Sequence, residues 1–177
     1  MEKTIQQYSS IIELCRELFI KKMKDYGTAW RILRPESITD QIYIKAQRIR
    51  SIEEKGVRMV DDDARDEFIG IINYAIIGLI QLEMGSSDEE LDPGKAIELY
   101  NAHFDKAMKL MQAKNHDYGE AWRNMRVSSY TDLILMKIKR TKQIEDNKGE
   151  TIISEGIDAN YMDMINYAVF ALIKTIY

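Results

Sequence analysis

One cysteine, Cys15, stands in 177 residues. That excludes an intrachain disulfide framework and a cysteine zinc cluster, and it suits a reducing cytoplasm. Proline is nearly as scarce, at two residues, and neither interrupts a periodic stretch, so long helices are unopposed. There is no block of like charge, and the net charge of −4 offers no basic field for duplex DNA or an acidic membrane. The N-terminus, Met1 to Gln7, carries no apolar signal core. The most apolar stretch, Tyr161 to Tyr177, contains Asp163, Asn166 and Lys174 and is shorter than a bilayer demands. A soluble cytoplasmic protein with no membrane partner is the expectation. His103 and His116 lack a partner at metal-ligand spacing and read as surface residues. No phosphate loop, dinucleotide glycine run, nucleophile elbow or zinc motif is present, and Ser128-Ser129 has no nearby histidine to activate it.

What is present is written twice. Lys24-Asp25-Tyr26-Gly27-Thr28-Ala29-Trp30-Arg31 returns as His116-Asp117-Tyr118-Gly119-Glu120-Ala121-Trp122-Arg123, an offset of 92 residues from Asp25 to Asp117. Arg34, Thr39, Lys45, Arg48 and Glu53 recur as Arg126, Thr131, Lys137, Arg140 and Glu145. After a one-residue slip, Ile72-Asn73-Tyr74-Ala75 returns as Ile165-Asn166-Tyr167-Ala168. Residues 1–84 and 95–177 are therefore two helical repeats joined by a linker, 85–94, and packed as one globular unit.

Each repeat predicts three helices. The first carries the stripe Tyr8, Ile11, Ile12, Cys15, Phe19 in one copy and Tyr100, Phe104, Ala107, Met111 in the other. It ends at Gly27 or Gly119, where positive φ is expected. Residues 28–36 and 120–128 read as ordered loops or a single helical turn. The second helix opens at Ser37 or Ser129 with a Ser-x-x-Asp capping box and ends near Gly56 or Gly149. The third helices, about 62–84 and 155–176, turn apolar nearly all round and form the expected central pair. Asp92-Pro93 suits an N-cap followed by proline at the first helical position. The sum is an all-α bundle of six main helices with pseudo-two-fold symmetry.

Three groups of polar residues invite chemistry. Asn160, Asp163 and Asn166 share one face of an apolar helix, where a carboxylate is costly unless paired or metal-bound. The first copy places Glu67, Gly70 and Asn73 there. These residues either hold magnesium or substrate, or Asp163 neutralises a buried cation while Asn166 satisfies backbone. Lys45 with Arg48, and Lys137 with Arg140, lie on half-apolar stripes. They either grip phosphate oxygens or pair with Asp163, Asp158 or Glu67. The Asp-Tyr-Gly-x-Ala-Trp-Arg block suits either stacking on a flat ring beside an arginine or a packed corner.

The three motifs together, Asp117 to Arg123, Asp132 with Lys137 and Arg140, and Asp163 with Asn166-Tyr167-Ala168, resemble the nucleotide modification associated domain 1 family of bacteria and phages, in two tandem copies. The layout is also similar to the all-α MazG-type nucleoside triphosphate pyrophosphohydrolases, which hold magnesium on a Glu-x-x-Glu helix and a Glu-x-x-Asp helix. The second of those motifs survives in halves, Glu67-x-x-Gly70 and Asn160-x-x-Asp163, and the first is replaced by the Lys/Arg pairs. The resemblance implies a nucleotide or nucleoside phosphate as partner, with Mg2+ as a cofactor if the protein hydrolyses it. In that reading a base stacks on Tyr118 or Trp122 beside Asp117. Phosphates meet Arg123, Lys137 and Arg140, with Lys45, Arg48, Asn73 and Asn166 also binding substrate. Asp163, with Glu67 or Asp158, is catalytic, and Asp163 and Glu67 are the metal ligands. The second copy, which keeps both Asp158 and Asp163, is the expected site. Related bundles often dimerise, so a homodimer is a further expectation. The competing reading is a non-catalytic structural or interaction protein whose duplicated polar residues are buried ion pairs.

Overall fold

The computed structural model describes residues 1–56 and 64–177. Six helices account for most of them: α1 (Glu2–Tyr26), α2 (Pro35–Lys55), α3 (Ala64–Met84), α4 (Pro93–Tyr118), α5 (Val127–Asp146) and α6 (Ile157–Ile176). A 3-10 turn, Ala29–Ile32 or Ala121–Asn124, follows the first helix of each repeat. No strand occurs among the described residues. The start of the third helix expected at residue 62 lies outside them.

The central pair forms as the apolar pattern demands. α3 and α6 pack on each other, α2 lies against α3, α5 against α6, and α2 and α5 meet across the pseudo-two-fold. Gly78 lets the two central helices close: a Cβ there would sit 2.8 Å from the ring of Tyr161. Tyr161 then reaches across to α2, where its hydroxyl donates to the Pro35 carbonyl at 3.0 Å and pairs with the Thr39 hydroxyl at 2.7 Å. α1 and α4 cover the remaining faces of α3 and α6. α3, and not the C-terminal stretch, is the one described helix long and apolar enough to cross a membrane, and 67% of its most apolar window is buried inside the bundle.

Gly27 and Gly119 adopt φ of +67° and +65°, as expected, although their ψ values near −150° lie outside the left-handed helical well. Asp92 caps α4 by accepting from the backbone N–H groups of Gly94 and Lys95, with Pro93 at the first helical position. The capping boxes are not formed. α2 and α5 begin two residues earlier than Ser37 and Ser129, with Arg34 and Arg126 as extended N-caps that make no side-chain cap bond. Pro35 supplies the reason in the first copy: its fixed φ is already helical and its missing N–H is no loss at that position. His103 is buried, contrary to expectation, with Nε2 2.8 Å from Glu83 Oε2; His116 is exposed.

Candidate functional site

The repeats are bound to each other through their matched polar residues. Asn73 donates to the Cys15 carbonyl at 3.1 Å and accepts from the Tyr100 hydroxyl at 2.8 Å. Asn166 donates to the Ala107 carbonyl at 3.1 Å and accepts from the Tyr8 hydroxyl at 2.6 Å. Each asparagine thus joins the first helix of its own repeat to that of the other. Thr39 donates to Glu145 at 2.8 Å and Thr131 to Glu53 at 3.1 Å, the same exchange across α2 and α5. At each corner a residue of the third helix binds the carbonyls of the 3-10 turn: Gln81 donates to those of Arg31 and Leu33, and Lys174 to those of Arg123 and Met125.

In the second repeat Asp163, Lys137, Trp122 and Arg123 are engaged by other side chains. Both carboxylate oxygens of Asp163 are taken, Oδ1 by Lys114 at 2.9 Å and Oδ2 by Lys137 at 2.8 Å. Burial opposes the Lys114 ammonium, but the hydrogen bond and charge of Asp163 outweigh it and hold the amine above its ordinary range. Trp122 is 6% exposed and its face is covered by Phe170, with ring centroids 4.2 Å apart and planes 9° from parallel. Trp122 therefore cannot stack an incoming base. The Arg123 guanidinium stands 4.4 Å from the centroid of the same ring and bonds to Glu120, Thr4 and Gln7. Tyr118 and Asp117 are exposed. Arg140 lines a cavity of about 740 Å³ with Lys137 and Asn160. Asp158 faces a different cavity, of about 490 Å³, beside His103 and Lys106.

The first repeat is arranged differently. A cleft of about 610 Å³ runs between α1, the 3-10 turn, α2 and α3, with Trp30, Tyr26, Lys22, Lys45, Glu67 and Asn73 in its lining. Glu67 lies between the two cations of α2, 2.6 Å from Arg48 and 3.7 Å from Lys45. The Lys45 ammonium also stands 5.7 Å from the ring centroid of Tyr74. Ile77 occupies the place of Phe170 and Gly70 that of Asp163. The concavity lined by the tryptophan is therefore in the first copy, whereas the second copy's cavity holds Lys137, Arg140 and Asn160 without Trp122. Sequence reading missed Lys22 and Trp30 as site residues, although both recur at the same offset of 92, as Lys114 and Trp122.

The family model for nucleotide modification associated domain 1 matches residues 22–82 and 114–175. The chain belongs to the nucleotide modification associated domain 1 family. The two matched segments begin 92 residues apart, at Lys22 and Lys114, so each repeat is one copy of the nucleotide modification associated domain 1 unit. No curated protein and no solved structure matches the chain.

The donors of this nucleotide modification associated domain 1 chain do not fit magnesium at the expected ligands. Mg2+ demands several oxygen ligands in near-octahedral order, whereas Asp163 is held by two lysines and Glu67 by Lys45 and Arg48. The expected meeting of Asp163 with Glu67 or Asp158 does not form. Among the described residues no three His, Cys, Asp or Glu side chains gather as a metal site would require.

Proposed function

We propose that this protein binds a nucleotide in the cleft of its first repeat, and that it serves nucleotide metabolism as a binding protein. The observation that carries the reading is one concavity holding a tryptophan, two tyrosines and two lysines, Trp30, Tyr26, Tyr74, Lys22 and Lys45. An indole or phenol face suits a base, and ammonium groups suit phosphate. Family membership supports a nucleotide over another flat anion. Asn73 lines the cleft with both ends of its amide engaged, so it positions the cleft and does not turn toward ligand.

Hydrolysis is not part of the proposal, because Asp163 and Glu67 are engaged by cations and Asp158 lines a different cavity from the cleft. Asp163, Lys114 and Lys137 form an ion-pair cluster that fixes α6 against α4 and α5, which is the structural reading applied to the second repeat. Cys15 is buried with its thiol pushed up to about 12 by burial, so it is an inert core residue, compatible with a cytoplasmic setting.

The test is thermal shift and calorimetry on the full chain with nucleosides and nucleotides of each base, with and without magnesium, and chromatography of any product. Nucleotide at about 100 times its Kd raises stability by about 2.7 kcal/mol, Trp30→Ala removes the shift, and Trp122→Phe does not. The absence of any shift across the panel overturns the reading.

A further inference from the structure

In the second repeat, side chains of α6 cover the lysines and the tryptophan whose counterparts line the cleft of the first. Lys22, Trp30 and Lys45 have identical counterparts in Lys114, Trp122 and Lys137. Among the positions that differ, two on the third helix face these residues: Gly70 against Asp163 and Ile77 against Phe170. Those two residues of α6 engage both lysines and the tryptophan, whereas in the first repeat Glu67 reaches Lys45 at 3.7 Å and does not bridge it to Lys22. The Asp163 carboxylate bridges Lys114 and Lys137 at 2.9 and 2.8 Å, and the Phe170 ring lies flat on Trp122. In the first repeat the matching lysines and tryptophan line an open cleft, with no carboxylate at position 70 and a branched aliphatic at 77.

We infer that the first repeat takes a nucleoside mono- or diphosphate, its base stacked on Trp30 where Phe170 covers Trp122, and its phosphate between Lys22 and Lys45 beside Gly70 where Asp163 bridges their counterparts. The inference rests on the nucleotide reading above and gives it an orientation and a size. Asp163 and Phe170 are seven residues apart on one helix, two turns and about 10 Å along the axis. That span suits a base and the phosphate end of a short nucleotide. Lys22 makes no ion pair among the described residues, whereas Lys114 is committed to Asp163. Gly70 lets the Lys45 side chain lie against α3, where a Cβ would meet it at 2.6 Å, and so holds the ammonium at the wall of the cleft. Asp66 and Glu67 line the same cleft and repel the added charge of a triphosphate.

The experiment is calorimetry on the full chain, Gly70→Asp, Gly70→Asn and Ile77→Phe, with adenosine, AMP, ADP, ATP, the other bases and phenyl phosphate as ligands. In the wild type the preferred monophosphate binds about ten-fold or more tighter than its nucleoside, from charge-assisted contacts, and the triphosphate binds more weakly than the diphosphate. Gly70→Asp supplies the carboxylate internally: monophosphate affinity falls to the nucleoside level, while the nucleoside is held as before. Ile77→Phe loses both. Without ligand, Gly70→Asp melts above Gly70→Asn, its uncharged match, because it pairs with Lys22 and Lys45. If Gly70→Asp leaves the preference for phosphate intact, or melts no higher than Gly70→Asn, the phosphate position is wrong even where nucleotides bind. If phenyl phosphate binds in the predicted manner and no nucleotide does, the nucleotide reading falls while the ring-and-anion slot stands.

Discussion

The Tyr8 hydroxyl of the first repeat donates to Asn166 of the second at 2.6 Å, and Tyr100 of the second returns the bond to Asn73 of the first at 2.8 Å. Tyr8 is fully buried, and burial drives its phenol far above the ordinary range, so it remains a neutral donor at any working pH. Tyr8→Phe leaves the Asn166 carbonyl without that donor and is expected to lower stability by about 1–3 kcal/mol. Urea unfolding with an unchanged m-value measures it. Tyr100→Phe gives a loss of the same order.

Asp163 gives a sharper effect. Asp163→Ala strands Lys137, whose side chain is 11% exposed, without a counter-charge, and a buried pair broken on one side costs about 3–5 kcal/mol. Lys114 is 46% exposed and regains water when its partner is lost, so Lys114→Ala costs about 1 kcal/mol or less. The order of the two urea midpoints is the check, and equal losses would contradict the buried geometry.

The two tryptophans are predicted to differ although their sequence surroundings match. Trp122→Ala removes a ring packed on Phe170 and costs about 3–5 kcal/mol, while Trp30→Ala, on the wall of an open cleft, costs less. Fluorescence separates them without stability data. Acrylamide quenches the Trp122→Phe variant, which retains Trp30, more strongly than the Trp30→Phe variant, which retains Trp122.

The pH response of the α2–α5 contact follows from Glu53 and Glu145. Burial raises both carboxyl pKa values, and the Thr131 and Thr39 hydrogen bonds offset this only in part. A folded-state value raised above the unfolded one means that the native protein holds the proton more tightly. These groups therefore penalise folding above their raised values, and the penalty is relieved as pH falls through them. The double variant Glu53→Gln/Glu145→Gln is expected to melt above the wild type at neutral pH. The difference shrinks as pH falls into the upper carboxylate range, as calorimetric melting from pH 7 downward reads directly.

Much of the architecture was legible because it rests on periodicity and punctuation. The duplicated block exposed two units, the all-round apolar runs after Phe68 and Tyr161 marked the central helices, and Asp92-Pro93 marked the start of α4. The alternative roles of Asp163 and Asn166, neutralising a cation and satisfying backbone, are the ones their contacts in the second repeat display. The tryptophan-lined cleft was not legible. It depends on Ile77 against Phe170, two apolar residues that leave helical periodicity unchanged but differ in whether they reach a tryptophan face. Helix starts were misjudged at Ser37 and Ser129 because the capping pattern describes local chemistry, while Pro35 had already fixed the backbone upstream. His103 was misplaced because its partner Glu83 is distant in sequence and belongs to the other repeat.

The crossed tyrosine–asparagine bonds also bear on what the connecting segment does. Ser87, Glu90 and Leu91 are tied back to Arg31 and Thr28, yet none of the crossed bonds depends on peptide continuity between Met84 and Asp92. A proteolytic nick there should leave two fragments that co-migrate, and either half produced alone should seek a second molecule of itself. Fusion in one polypeptide ensures that unlike halves meet, so that one can leave its tryptophan on the wall of a cleft while its sibling packs that ring shut.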